Sequence, residues 1–176
     1  MSLYRRFYVP GGTYFFTVCL AQRGSDLLIR HADTLRHSFR VTMQHRPFHI
    51  DAIVILPDHL HTVWTLPAGD ADFSVRWGAI KSRFTREMRR VGFNPTLPIS
   101  DSKARKGDAG IWKRRFWEHY IRDQEDYGTH VAYCWNDPVK HGLAEAAQDW
   151  QWSSVHRGRD IAAGNKNPTL YKMDGF

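Results

Sequence analysis

Residues 48–66, FHIDAIVILPDHLHTVWTL, constrain this chain more than any other stretch. Phe48 to Leu56 is rich in β-branched and large apolar residues, and so is His59 to Leu66. Only Pro57 and Asp58, a turn pair, separate the two runs. Two residues cannot carry a crossover, which needs a dozen or more, so with a tight turn these strands must pair antiparallel. Strand side chains alternate between faces. His59, His61, Val63 and Thr65 therefore share one face, and Leu60, Thr62, Trp64 and Leu66 share the other.

The remaining segments fit around this hairpin. TYFFTVCL, Thr13 to Leu20, follows a Gly-Gly pair and reads as a strand. Residues 26–45 place Leu27, Leu28, Leu35, Phe39 and Met43 at roughly helical spacing, ahead of Pro47. Residues 74–91 are a stronger helix, with Trp77, Ile80, Phe84, Met88 and Val91 on one stripe and arginines on much of the rest. Residues 92–110 have no periodicity and many Gly, Pro and Ser, which predicts a loop. IWKRRFWEHYI, 111–121, reads as a fourth strand, and 123–137 as a helix stopped by Pro138. The tail from Trp150 reads as irregular. The order is βαββαβα, which predicts an α+β, ferredoxin-like fold: a four-stranded antiparallel sheet with helices packed mainly on one face. With 176 residues, 42 % of them hydrophobic, a single domain over 1–157 and a basic tail over 158–176 are expected.

Several classes are set aside. No apolar run approaches the ~20 residues of a membrane helix, and the N-terminus has no signal-peptide core. Cys19 and Cys134 are far apart and form no CxxC pair, so the expected setting is the reducing cytoplasm. The formal net charge of +7 points to an anionic partner, most often nucleic acid. Candidate phosphate contacts are Arg5 and Arg6 before the first strand, Lys81, Arg83 and Arg86 on the second long helix, and Lys113, Arg114 and Arg115 on the fourth strand. Lys103, Arg105 and Lys106 add charge in the loop, and Trp112, Phe116 and Trp117 are candidates for base stacking.

Two imidazoles two residues apart on one strand can chelate a cation, or can be two core histidines. On the helix 123–137, Asp126, His130, Tyr133 and Asp137 fall on one narrow face at about 100° per residue. A carboxylate one turn from a tyrosine could complete a His-His-Asp set beside a nucleophile. A tyrosine hydroxyl ordinarily ionises near pH ~10, so it needs a polarised phosphate or a nearby base to attack.

ILPDHLH resembles the HUH motif of single-tyrosine transposases. IKSRFTR (80–86), GIWKRRFWEHYIRDQEDY (110–127), AYCWNDPVKHGL (132–143) and WQWSSVHR (150–157) resemble, in order, successive blocks of the REP-associated tyrosine transposases. The resemblance implies a divalent metal, Mg or Mn, held by His59, His61 and the polar residue four places after the tyrosine. It implies Tyr133 as the nucleophile that forms a 5′-phosphotyrosine, and a single-stranded DNA hairpin from palindromic repeats as substrate. Such proteins act as monomers or homodimers. Where the family usually has asparagine, this chain has Asp137, with Asn136 one place early and off the helical face. Lys140 is a further candidate for contacting DNA or assisting with charge. The alternative reading is a hairpin-binding module with little or no catalysis.

Overall fold

A computed structural model describes residues 6–95 and 109–157. Its strands are β1 (Thr13–Cys19), β2 (His49–Ile55), β3 (His59–Thr65) and β4 (Trp117–Tyr120). Its helices are α1 (Leu27–Arg30), α2 (Ala32–His45), α3 (Phe73–Arg90) and α4 (Gln124–Lys140), followed by a 3₁₀ turn at Ala147–Asp149. The strands form one sheet in the order β2-β3-β1-β4, each neighbour antiparallel. This is the ferredoxin-like arrangement that the hairpin and the element order predict.

Alternation divides the apolar side chains between two faces. Tyr14, Phe16 and Val18 of β1 and Leu60 and Trp64 of β3 point to one side, where they meet Phe39 of α2 and Trp77, Ile80 and Phe84 of α3. Trp64 and Trp77 stack at 4.3 Å. The other face carries smaller residues: Ala52, Val54 and Val63, with Phe15, against Val131 and Cys134 of α4. Three helices thus cover one face, and α4 covers the face that holds the histidines.

Three elements depart from their expected bounds. The helix expected over 26–45 breaks at His31, whose φ and ψ are −120° and 34°. The Leu28 amide donates to the Pro57 carbonyl at 3.1 Å, which ties α1 to the hairpin turn while α2 follows the sheet. The strand expected over 111–121 pairs regularly only from Trp117. Thr17 faces Trp117 and Leu20 faces Trp112, so three steps on β1 meet five on the partner. Two surplus residues loop out of the ladder there, and Lys113, Arg114 and Arg115 are exposed.

The third departure matters most. Pro138 does not stop α4, which runs on to Lys140. The stop is Gly142, at φ 66°. Its N–H donates to Val139, and the Leu143 N–H donates to Pro138, both at 2.9 Å or less. This is the 6→1 and 5→2 bond pair of a Schellman cap, and it needs a left-handed residue that glycine provides at least cost. The segment from Trp150, expected to be irregular, instead adds to the edge of β2. Ser153 bridges Val54, the Ile55 N–H donates to Trp152, and the Ser154 N–H to Ile53. That contact covers an otherwise open sheet edge. Residues 158–176 and Arg5 lie outside the described residues, as do Lys103, Arg105 and Lys106.

Candidate metal centre and nucleophile

His59 and His61 lie side by side on the α4 face because β3 alternates, and both rings are fixed through Nδ1. The His59 Nδ1–H donates to Asp58 Oδ1 at 2.6 Å. His61 Nδ1 shares a hydrogen bond of 2.9 Å with the hydroxyl of Thr17, its partner across the β1–β3 ladder. With Nδ1–H donating to Asp58, the neutral His59 ring carries its lone pair on Nε2, while the Thr17 hydroxyl fixes the plane of the His61 ring. Asp58 also accepts from the Gly24 N–H at 2.8 Å. Burial opposes the charge on Asp58, but the bonds from His59 and Gly24 outweigh it, and its pKa falls below the usual range.

Both Nε2 atoms point at α4, toward Asp137. His59 Nε2 lies 3.5 Å from Asp137 Oδ2, His61 Nε2 lies 3.2 Å away, and His141 Nε2 lies 3.4 Å away. Asp137 is only 1 % exposed, yet neither carboxylate oxygen has a hydrogen-bond partner among the described residues. The imidazole contacts are close but off-line. A carboxylate is not buried without donors at low cost. A cation among these groups would satisfy it, so the donor set fits a bound metal ion. His59, Asp137 and His141 offer ligand atoms that all lie within 4.8 Å of one another, and His61 approaches the same oxygen. Two nitrogens and a carboxylate suit borderline divalent cations.

The site's charges are coupled, and they push His59 and His61 in opposite directions. Burial penalises the charge on Asp137, but the imidazoles of His59 and His61 hold its pKa well below the carboxylate range. Burial lowers the pKa of His61 more than Asp137 raises it, which favours the neutral, ligating ring. For His59, burial is outweighed by Asp137 and Asp58, and its pKa rises.

Tyr133 sits one helical turn before Asp137. Its ring stands edge-on to His61 at 5.2 Å and to Phe15 at 5.7 Å, and it is 40 % exposed. Its hydroxyl is therefore open to a large substrate while its ring is held. Lys140 Nζ donates to that hydroxyl at 3.4 Å and lies 4.9 Å from the ring centroid. Asn136, one place before Asp137, is exposed and spends its amide on the Ala132 carbonyl at 2.9 Å.

A second His-Asp-His group lies beside the first. His119 Nε2–H donates to the Asp126 carboxylate at 2.9 Å, and His130 Nδ1 lies 3.0 Å from the same group. Burial opposes ionisation, but the bonds from His119 and the Arg122 N–H hold the Asp126 pKa down at about 2. The two imidazoles are stacked 4.4 Å apart at 16°. In-plane lone pairs on nearly parallel rings do not converge on one ion. This cluster clamps β4 to the start of α4, and His130 is a packed residue of that clamp.

The basic candidates separate into groups. Lys81, Arg86, Lys113 and Arg114 line one groove of about 350 Å³, together with Arg89, Ser82, Thr85, Ala109 and Trp112. The Lys113 N–H donates to the Cys19 carbonyl, and Cys19 faces His59 across the ladder. The groove and the histidine site therefore flank the same end of the sheet. Arg115 is exposed on the bulge beside the groove, and Arg83 is half-buried and outside its lining. Arg6 is committed elsewhere. It pairs with buried Glu118 at 3.2 Å, donates to Ser74 and covers the Phe116 ring. Of the stacking candidates, Trp112 is buried against Phe84 and Phe116 is half-buried, while Trp117 is 50 % exposed, its ring stacked on His119 at 6.0 Å.

The sequence reading missed three residues that shape the site. Asp58 passes for a turn residue, though it directly precedes the histidine pair. His141 lies one turn after Asp137, which an end at Pro138 conceals and the glycine at 142 would have exposed. Thr17 depends on strand register, which no local signal carries.

No family model matches the chain. Among curated proteins, it is similar to a REP-associated tyrosine transposase of Escherichia coli strain K12, with 44 % identity over 174 residues, 99 % of this chain and 90 % of the relative. A Haemophilus influenzae protein named for the same family is 40 % identical over 157 residues, 89 % of this chain and 87 % of the relative. A solved REP-associated tyrosine transposase bound to a REP hairpin superposes with a TM-score of 0.77 at 44 % identity, covering 93 % of this chain and 87 % of that one.

Proposed function

Because this chain belongs to the REP-associated tyrosine transposases, we propose that it cleaves and rejoins single-stranded DNA at palindromic-repeat hairpins through a 5′-phosphotyrosine on Tyr133. The observation that carries this reading is the placement of an exposed tyrosine one turn from a buried, donor-less carboxylate that three imidazoles face. The solved relative bound to a REP hairpin supports the choice of substrate.

Each group has a task. Tyr133 Oη attacks the scissile phosphorus as the bond to the 3′-oxygen breaks. The phenol proton passes to solvent, and the departing oxygen takes one up as a free 3′-hydroxyl. The Lys140 ammonium, 3.4 Å from Oη, stabilises the phenolate as it forms. Rejoining runs the same bonds in reverse, and because one phosphodiester replaces another, no nucleotide cofactor is consumed. A divalent cation, Mg or Mn, would be held by His59, His61 and Asp137, and when bound would supply Lewis-acid polarisation of a phosphate oxygen. Asp58 holds His59 with its lone pair on Nε2, and Thr17 orients the His61 ring. Lys81, Arg86, Lys113 and Arg114, with Arg115, follow the hairpin phosphates, and Trp117 stacks on an unpaired base.

No described helix is long and apolar enough to cross a membrane, and the protein works on DNA in the cytoplasm. The His61 and Tyr133 rings meet within one chain, 5.2 Å apart. That supports action as a monomer, since no tyrosine from a second copy is required.

The test is incubation with a single-stranded repeat hairpin, its flanks, and Mn or Mg. A denaturant-stable protein–DNA adduct, lost in Tyr133→Phe, is expected. Tight hairpin binding with no adduct in either metal would instead identify a binding module.

A further inference from the structure

We propose that His141 is a fourth protein ligand of the metal centre, making a three-imidazole, one-carboxylate set that prefers nitrogen-seeking cations such as Mn, Co, Ni or Zn to Mg. The inference rests on the reading of His59, His61 and Asp137 as a metal site. Three observations carry it.

The first is convergence. The Nε2 atoms of His59, His61 and His141 all approach one oxygen, Asp137 Oδ2, at 3.5, 3.2 and 3.4 Å. None meets it with hydrogen-bond geometry. Three ring nitrogens gathered at one buried carboxylate oxygen make a donor set that a divalent cation would fill.

The second is placement. His141 is 43 % exposed on its side chain, so nothing forces it inward. It nevertheless turns toward Asp137 and stands edge-on to His59 at 5.3 Å. Its backbone N–H donates to the Asp137 carbonyl at 3.0 Å, and the glycine cap follows at Gly142. Helix and cap hold it one turn beyond Asp137.

The third is the chemistry of the donors. Magnesium seeks oxygen ligands and near-octahedral geometry and keeps its waters. Three imidazoles with one carboxylate match the later first-row cations instead.

The test is calorimetric titration of the full chain with MnCl₂ and separately with MgCl₂, comparing wild type, His59→Ala, His141→Ala and His141→Gln. His141→Ala and His141→Gln are expected to weaken Mn binding by at least ~10-fold, comparable to the loss of a supporting metal-site group. Mg binding should change by less than about 3-fold, since oxygen donors dominate it. Mn pulsed electron paramagnetic resonance should count three imidazole nitrogens in the wild type and two in the His141 variants. Unchanged Mn affinity and nitrogen count in both His141 variants, with binding lost in His59→Ala, would overturn the proposal and leave the three-residue site standing. Unchanged binding in His59→Ala would overturn the metal site itself. Circular-dichroism melts of each variant separate lost ligation from lost folding.

Discussion

Asp58→Asn tests how the carboxylate behind His59 sets the tautomer of that ring. Asp58 accepts two hydrogen bonds, Oδ1 from His59 Nδ1–H at 2.6 Å and Oδ2 from the Gly24 N–H at 2.8 Å. Asparagine has one acceptor oxygen and one donor amide. If its oxygen serves Gly24, the amide faces His59 Nδ1, which must then give up its proton and accept. The proton moves to Nε2, the atom that faces Asp137. If the oxygen serves His59, the amide opposes the Gly24 N–H, and a part-buried donor loses its partner at about 1–3 kcal/mol. Either way one part of the site fails. Loss of a supporting carboxylate typically weakens metal binding about 10–100-fold, or roughly 1.4–2.8 kcal/mol. Calorimetric Mn titration measures the affinity, and ¹⁵N-resolved imidazole NMR reports which ring nitrogen of His59 carries the proton. Unchanged Mn affinity with His59 still protonated at Nδ1 would refute the reasoning, because the carboxylate would then not be setting the tautomer.

Other outcomes follow from single contacts. Lys140→Met should slow adduct formation about 10-fold or more while hairpin affinity changes far less, read by single-turnover cleavage against filter binding. Asp126 has a folded pKa of about 2, depressed from 3.8, so it contributes stability that is full above about pH 4 and disappears as pH falls toward 2. Asp126→Asn should therefore cost roughly 2 kcal/mol in denaturant melts at pH 7 and little near pH 2. Combined Arg86→Ala and Lys113→Ala should lower the slope of log Kd against log salt by about 1.4–1.8, the share of two phosphate contacts.

What could be read in the chain, and what could not, divides by range. The hairpin at 48–66 was legible because two strand runs with a two-residue turn admit one pairing, and alternation then sets His59 and His61 on one face. Tyr133 and Asp137 were legible because four residues make one helical turn. His141 was hidden by giving Pro138 more weight than Gly142. A proline near a helix end removes a single N–H, whereas a left-handed glycine redirects the chain and completes the cap. Thr17, the bulge at 113–116 and the added edge segment at Ser153 depend on register between distant strands, which local pattern does not encode. Arg6 shows the limit of reading charge from sequence. Its guanidinium holds Glu118 at 3.2 Å and does not line the basic groove.

The central claim is that Tyr133 becomes linked to the 5′ phosphate of the cleaved strand. Two preparations of one repeat hairpin with its flanks, labelled at the 5′ end or at the 3′ end, decide it in a single gel with Mn present. The 3′ label should move with the denatured protein and the 5′ label with a shortened free strand, and peptide mass spectrometry should place the adduct on Tyr133. Label on the protein from the 5′-tagged strand, an adduct at another residue, or cleavage that persists in Tyr133→Phe would contradict the account.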